Sequence, residues 1–271
     1  METLATVAFS FAVIAYSVAS TQFFLGLARR GPGPENPYPA RVLMVAAVFH
    51  GLQLVASSLL SDLCPVESMR FSLSLAALVV VLVFLVVRKT RRIDALGGFV
   101  GPLALTFLVA AQFVGDSAAP AELSRVLLAS HISANVLGIA VVLLAGGTSA
   151  FYVYVENSLK KKRLSGMGRL PSLDTLDRLA HRLLLLGFPL LTFGVVTGGL
   201  FISQLDTTSI SSVARAVLGY AAWLVVAGVL VFRALSGWNG RRSAYGTLTG
   251  MLCVSLVLVV YLLRPLLGGP A

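Results

Sequence analysis

The three histidines are the most versatile chemical groups in this sequence. A neutral imidazole works as an acid or base near neutral pH and is the commonest protein ligand for a metal. His50 has Gln53 three residues on, on the same helical face. It reads either as an interhelical hydrogen-bonding residue or as an axial ligand to a buried metal cofactor. His131 stands in SHISANVLGIA, with Asn135 one turn away and Gly138 about two turns away. One helical face then carries a ligand-capable imidazole, an amide and a gap that admits another helix or a flat ring. Helix packing and ligation both account for that pattern. His181 lies in a basic segment, where a solvated or headgroup-facing imidazole explains it.

Other chemistry is scarce. Cys64 and Cys253 are far apart and form no CxxC, so the sequence offers no dithiol redox pair, no CxxCH haem-attachment site and no zinc knuckle. It contains no HExxH, GxSxG or P-loop pattern. Carboxylates sit in loops and at the ends of apolar runs, which leaves no relay of buried acids. Hydrolysis and phosphoryl transfer are therefore not expected, and the chain reads as non-catalytic.

These residues have to be positioned by helices in a membrane. Of 271 residues, 57% are hydrophobic and 12% charged, about half the charge of a soluble domain. A span needs about 20 apolar residues. Eight stretches qualify, over 4–28, 41–60, 71–87, 96–114, 127–156, 183–204, 214–235 and 246–263. Each must be helical, because an open strand leaves backbone groups unpaired in lipid. The first is too long for a signal-peptide core and precedes its basic pair, Arg29 and Arg30, so a retained span is expected. The sequence thus predicts an all-α, polytopic bundle of eight transmembrane helices, forming one integral membrane domain over 1–271.

The net charge of +10 resides in short basic clusters between apolar runs, a placement that points to lipid headgroups rather than nucleic acid. Loops after the first, third, fifth and seventh spans hold 17 of the 21 Lys and Arg; Arg70, Arg125, Arg215 and Arg264 lie on the other side. By the positive-inside rule both termini lie outside. In the fifth-to-sixth connection, Lys160–Arg163 is expected to anchor topology. After it, Leu173, Leu176, Leu179 and Leu183 recur at helical spacing, with Asp174 and Asp177 early and Arg178 and Arg182 late. That order predicts a short amphipathic helix running into the sixth span, and a possible dock for a soluble partner.

The stretches SHISANVLGIAVVLLAGGTSAFYVY, LDRLAHRLLLLGFPLLTFGVVTGGLF, GYAAW and GWNGRRSAY resemble the cytochrome c assembly family. These are haem-handling membrane proteins of CcsA and CcmC type, and the HemX-like and YpjD-like members are the most similar. The leucine-aspartate start, Gly-Phe-Pro and Thr-x-Gly run are the most specific features. The resemblance covers His131 to Arg264; earlier spans match in layout, around His50, and faintly at CPVES (64–68).

The resemblance implies a non-catalytic protein of the bacterial inner membrane that binds or passes haem, with His131 and His50 as metal ligands and Asn135, Gly138 and Trp223 as further haem-contacting residues. Its implied partners, besides the bilayer and haem, are another cytochrome c assembly subunit or, for HemX-like members, a cytoplasmic enzyme of tetrapyrrole synthesis regulated through the 159–182 loop. The sequence also departs from the family. The segment aligned with its tryptophan-rich region, 205–222, contains no tryptophan, and Trp223 matches the tryptophan at that segment's end. A second membrane histidine would fall near Val231, and a second outer one past Ala271. Each family pair keeps one histidine, so ligation by single imidazoles is expected, with His50 and His131 at different depths and serving separate sites. A small-molecule transporter is a weaker alternative, since no Gly/Pro-broken pair of spans occurs at matching positions.

Overall fold

The computed structural model describes residues 2–28, 37–60, 68–90, 93–113, 125–162, 171–200 and 210–263. All regular structure among them is helical: α1 (Glu2–Ala28), α2 (Tyr38–Ser58), α3 (Met69–Thr90), α4 (Gly97–Ala110), α5 (Arg125–Lys160), α6 (Leu173–Leu200), α7 (Ile210–Ser236) and α8 (Arg241–Leu263), with single 3-10 turns on both sides of α4. Seven of these helices are long and apolar enough to cross a membrane. The exception is α4, expected over 96–114 but only 14 residues long, or about 21 Å at 1.5 Å per residue. Its Gly97, Gly98 and Gly101 fit close packing better than helix extension, and Pro102 removes a backbone donor from its interior.

The chain divides into two compact units, Met1–Gln112 with Tyr154–Ser172, and Phe113–Val153 with Leu173–Ala271. In the first, α1 turns the stripe Ala8, Ala12, Tyr16, Ala19 and Phe23 inward. Lipid tails are as apolar as leucine, so helices in hydrocarbon associate through close packing and hydrogen bonds, and small residues favour both. A methyl on Gly97 would come within 2.5 Å of the Phe23 ring, and one on Gly101 within 2.5 Å of Ser20 Oγ. These two glycines therefore set the α1–α4 approach. On α2, Leu43, Ala46, Ala47, His50 and Gln53 form the buried face.

In the second unit α5 and α6 run antiparallel in a regular register. Gly187 faces Val142, Leu191 faces Gly138, Gly194 faces Asn135 and Gly198 faces His131. The alternating spacing of four and three residues on both helices is that of a continuous seam. On α8, Gly246 and Gly250 admit Val229 and Val226 of α7 in the same way. Gly237 and Gly240 both have left-handed φ, +65° and +63°, which glycine adopts without steric cost. They turn the chain from α7 into α8, with Trp238 stacked 4.8 Å from Phe232.

Helix α6 begins where the amphipathic segment was expected and continues unbroken into the apolar run. Leu176, Leu179 and Leu183 are buried. Asp174 pairs with Arg178 at the surface, but Asp177 does not follow the expected surface pattern. It accepts from Arg233 of α7 through both oxygens, at 2.9 and 2.6 Å, and from the Gly240 N–H at 3.0 Å. Arg233 also donates to Ser243 of α8 at 3.3 Å. One ion pair thus ties α6, α7 and the start of α8 together. His181, one turn on, has a buried Nδ1 with no hydrogen-bond partner among the described residues, a more enclosed setting than a headgroup-facing imidazole. Residues 163–170, including Arg163, and the 61–67 stretch with Cys64 lie outside the described residues.

The side chains of Arg233 and Asp177 are 12% and 15% exposed. Loss of one partner leaves the other enclosed and uncompensated, at a cost of roughly 3–5 kcal/mol. Asp177→Asn or Arg233→Met alone should therefore sharply lower the thermal unfolding temperature in detergent. The double variant Asp177→Leu/Arg233→Met should regain most of the loss.

Candidate functional site

His131 lies near the N-terminal end of α5, half-buried, and α6 shapes its surroundings. Its Nδ1 is 2.8 Å from Thr197 Oγ1. Gly198 makes room for the ring: a methyl there would stand 3.1 Å from His131 Cε1. Asn135, one turn along α5, donates to the His131 carbonyl at 2.9 Å. Its Nδ2 is then 3.3 Å from Nδ1 and 3.2 Å from Nε2. These near-equal distances set the amide across the ring edge rather than on one nitrogen. The imidazole is thus braced by its own helix and by α6.

Gly138 and Trp223, also expected to contact haem, belong to the same unit and pack against α6. The gap at Gly138 is filled by Leu191, whose Cδ2 would be 3.0 Å from an added methyl. Trp223 donates its indole N–H to Thr192 Oγ1 of α6 at 2.9 Å and stacks on Phe188 at 6.0 Å. Gly-Phe-Pro of α6 thereby contributes Gly187 to the α5 seam and Phe188 to Trp223. Within the segment aligned with the family's tryptophan-rich region, residues from Ile210 onward form the start of α7; 201–209 are outside the described residues. Val231 is an exposed residue of α7.

His50 belongs to the other unit and is fully buried. Its Nδ1 is 3.0 Å from the Tyr16 hydroxyl of α1, and its Nε2 is 2.9 Å from Ser74 Oγ of α3. A neutral imidazole has one donor and one acceptor nitrogen, and both are engaged here. Gln53 donates to Ser57 Oγ at 3.3 Å, while its buried Oε1 has no hydrogen-bond partner among the described residues. His50 thus joins three helices, as the hydrogen-bonding alternative expects. Ligation through either nitrogen would require Tyr16 or Ser74 to give way.

Sequence spacing missed the hydroxyls. Tyr16, Ser74, Thr192 and Thr197 each reach a ring on a different helix, so no short-range pattern links the partners. The one visible trace is Thr197–Gly198, a hydroxyl followed by an open position. Among the described residues there is no group of three or more His, Cys, Asp or Glu able to hold a metal ion. Of the two imidazoles expected to ligate haem, His50 has its nitrogens against Tyr16 and Ser74, and His131 has Thr197 at Nδ1 and Asn135 beside both nitrogens.

The cytochrome c assembly protein family matches residues 42–267. The cytochrome c biogenesis protein CcsA of Prochlorococcus marinus subsp. pastoris is 25% identical over 255 residues, covering 84% of this chain and 80% of that protein. CcsA of Nostoc punctiforme is 37% identical over 100 residues, covering 37% of this chain and 28% of its own length. CcsA of Gloeothece citriformis is 36% identical over 100 residues, with 30% of its length covered. Against these last two the alignment spans less than a third of the relative. No solved structure matches the chain. With most of its length matched, this chain belongs to the cytochrome c assembly protein family.

Proposed function

We propose that this protein is a non-catalytic, haem-handling component of cytochrome c assembly in a bacterial inner membrane, holding haem at its outer side through His131. The observation that carries the reading is the bracing of His131 by Thr197, Asn135 and Gly198 near one end of α5. His131 would hold haem through its imidazole, and haem would supply the iron centre. The chain contributes an imidazole of fixed orientation, an amide across the ring and a close-packed apolar seam that excludes water. Gly138 and Trp223 act in this account by holding α5 and α7 against α6. Another subunit of the assembly machinery is the partner that would deliver or accept haem.

The charge pattern supports eight crossings with both termini outside. If α4 turned back without crossing, the basic segment 160–182 would face outward, against the positive-inside rule. A 3-10 turn on each side extends the helical run at α4 to Asp94–Phe113, enough residues for a short span. The HemX-like regulatory alternative draws less support, because the leucine face of the 172–182 segment is buried within the chain.

Adding haem to the detergent-purified protein tests the reading. An imidazole-ligated absorption spectrum is expected, and His131→Ala should abolish it while the protein still folds. His131→Ala and His50→Ala should affect haem retention independently, with His50→Ala also destabilising the fold through the lost Tyr16 and Ser74 bonds. A spectrum unchanged by both substitutions sinks the site assignment. For topology, reporter fusions after residues 92 and 163 should be cytoplasmic and those near 118 and 208 should not. A cytoplasmic signal at 118 would mean that α4 does not cross.

A further inference from the structure

Two threonines of α6 present the same geometry to rings on neighbouring helices. Thr192 Oγ1 donates to the Phe188 carbonyl at 2.8 Å and accepts from Trp223 Nε1–H at 2.9 Å. An indole N–H can only donate, so that arrangement has one possible assignment. Thr197 repeats it, with Oγ1 2.7 Å from the Phe193 carbonyl and 3.2 Å from the Gly194 carbonyl, and His131 Nδ1 at 2.8 Å. Its side chain belongs to a residue only 4% exposed, so water does not compete. A hydroxyl has one hydrogen, and two carbonyls of its own helix stand ready to accept it. The hydrogen in the Thr197–His131 contact then comes from the ring. Asn135 lies almost equally far from both ring nitrogens, whereas Thr197 meets Nδ1 alone.

We propose that Thr197 is a positioning residue, which holds His131 as the Nδ1–H tautomer and so makes Nε2 the nitrogen that ligates haem. The haem step rests on the reading of His131 as a ligand; the tautomer does not. A neutral imidazole carries one N–H, so a donor fixed at Nδ1 leaves the lone pair on Nε2. Partners of this kind raise ligand basicity and fix ring orientation, and their loss typically weakens metal binding by about 10–100-fold.

The test is nitrogen NMR of the haem-free protein carrying 15N-histidine, with the His131 signals assigned by their disappearance in His131→Ala. Wild type should show a protonated Nδ1 and an unprotonated Nε2. Thr197→Ser should preserve that state, and Thr197→Val, similar in shape but without the oxygen, should mix the tautomers. In haem titrations Thr197→Val should bind about tenfold or more weakly while Thr197→Ser stays near wild type. A protonated Nε2 in wild type, or a tautomer unaffected by Thr197→Val, overturns the proposal even if His131→Ala still abolishes haem binding. Conversely, a haem spectrum that survives His131→Ala removes the ligand reading and leaves the tautomer result standing. If Thr197→Val fails to fold, the wild-type spectrum alone decides the tautomer.

Discussion

Between His131 and Val142, α5 lies so close to α6 that methyl groups added at Gly138, Gly194 or Gly198 would press on the facing helix. The rest of the candidate site depends on that approach. In hydrocarbon no hydrophobic force draws helices together, so contact area and hydrogen bonds have to do so. Glycine lets the backbones approach, and the approach brings Thr197 within hydrogen-bonding distance of an imidazole on another helix. Larger residues at these positions would separate α5 from α6 and leave two polar groups facing lipid, where neither finds water.

Polar groups inside both units follow the same economy. Tyr16, His50 and Ser74 close a chain across α1, α2 and α3; Thr192 and Thr197 each satisfy their own helix and a ring beside it. Interhelical bonds of this kind contribute only about 0.6–2 kcal/mol each, yet they fix rotation and register, which apolar packing specifies weakly. At the loop end of the second unit, Asp177 and Arg233 fix register more strongly, because separation would leave a charge enclosed.

Helix positions were legible in the sequence because span length is set by bilayer thickness, and apolar runs of that length are conspicuous. Seven of the eight expected runs are helices long enough to cross. For α4, composition overstated the helix, since Gly97, Gly98 and Pro102 count as tolerable in a hydropathy sum but shape the helix locally. The histidines and Asn135 were legible as chemical types with helical spacing. Their partners were not: Thr197 is 66 residues from His131, and Arg233 is 56 from Asp177. Asp177 fitted a helix-dipole pattern equally well, so spacing gave no reason to look for a buried ion pair. Gly138 allowed a helix or a ring, and no short-range pattern pointed to Leu191 as its neighbour.

In the proposed site the His131 ring rests directly against Gly198 of α6. The most direct measurement compares haem absorption spectra of Gly198→Val and Gly219→Val, since Gly219 has nothing within 4 Å of an added methyl. The account predicts that Gly198→Val loses the imidazole-ligated spectrum while Gly219→Val keeps it. A wild-type spectrum from a folded Gly198→Val protein would contradict it.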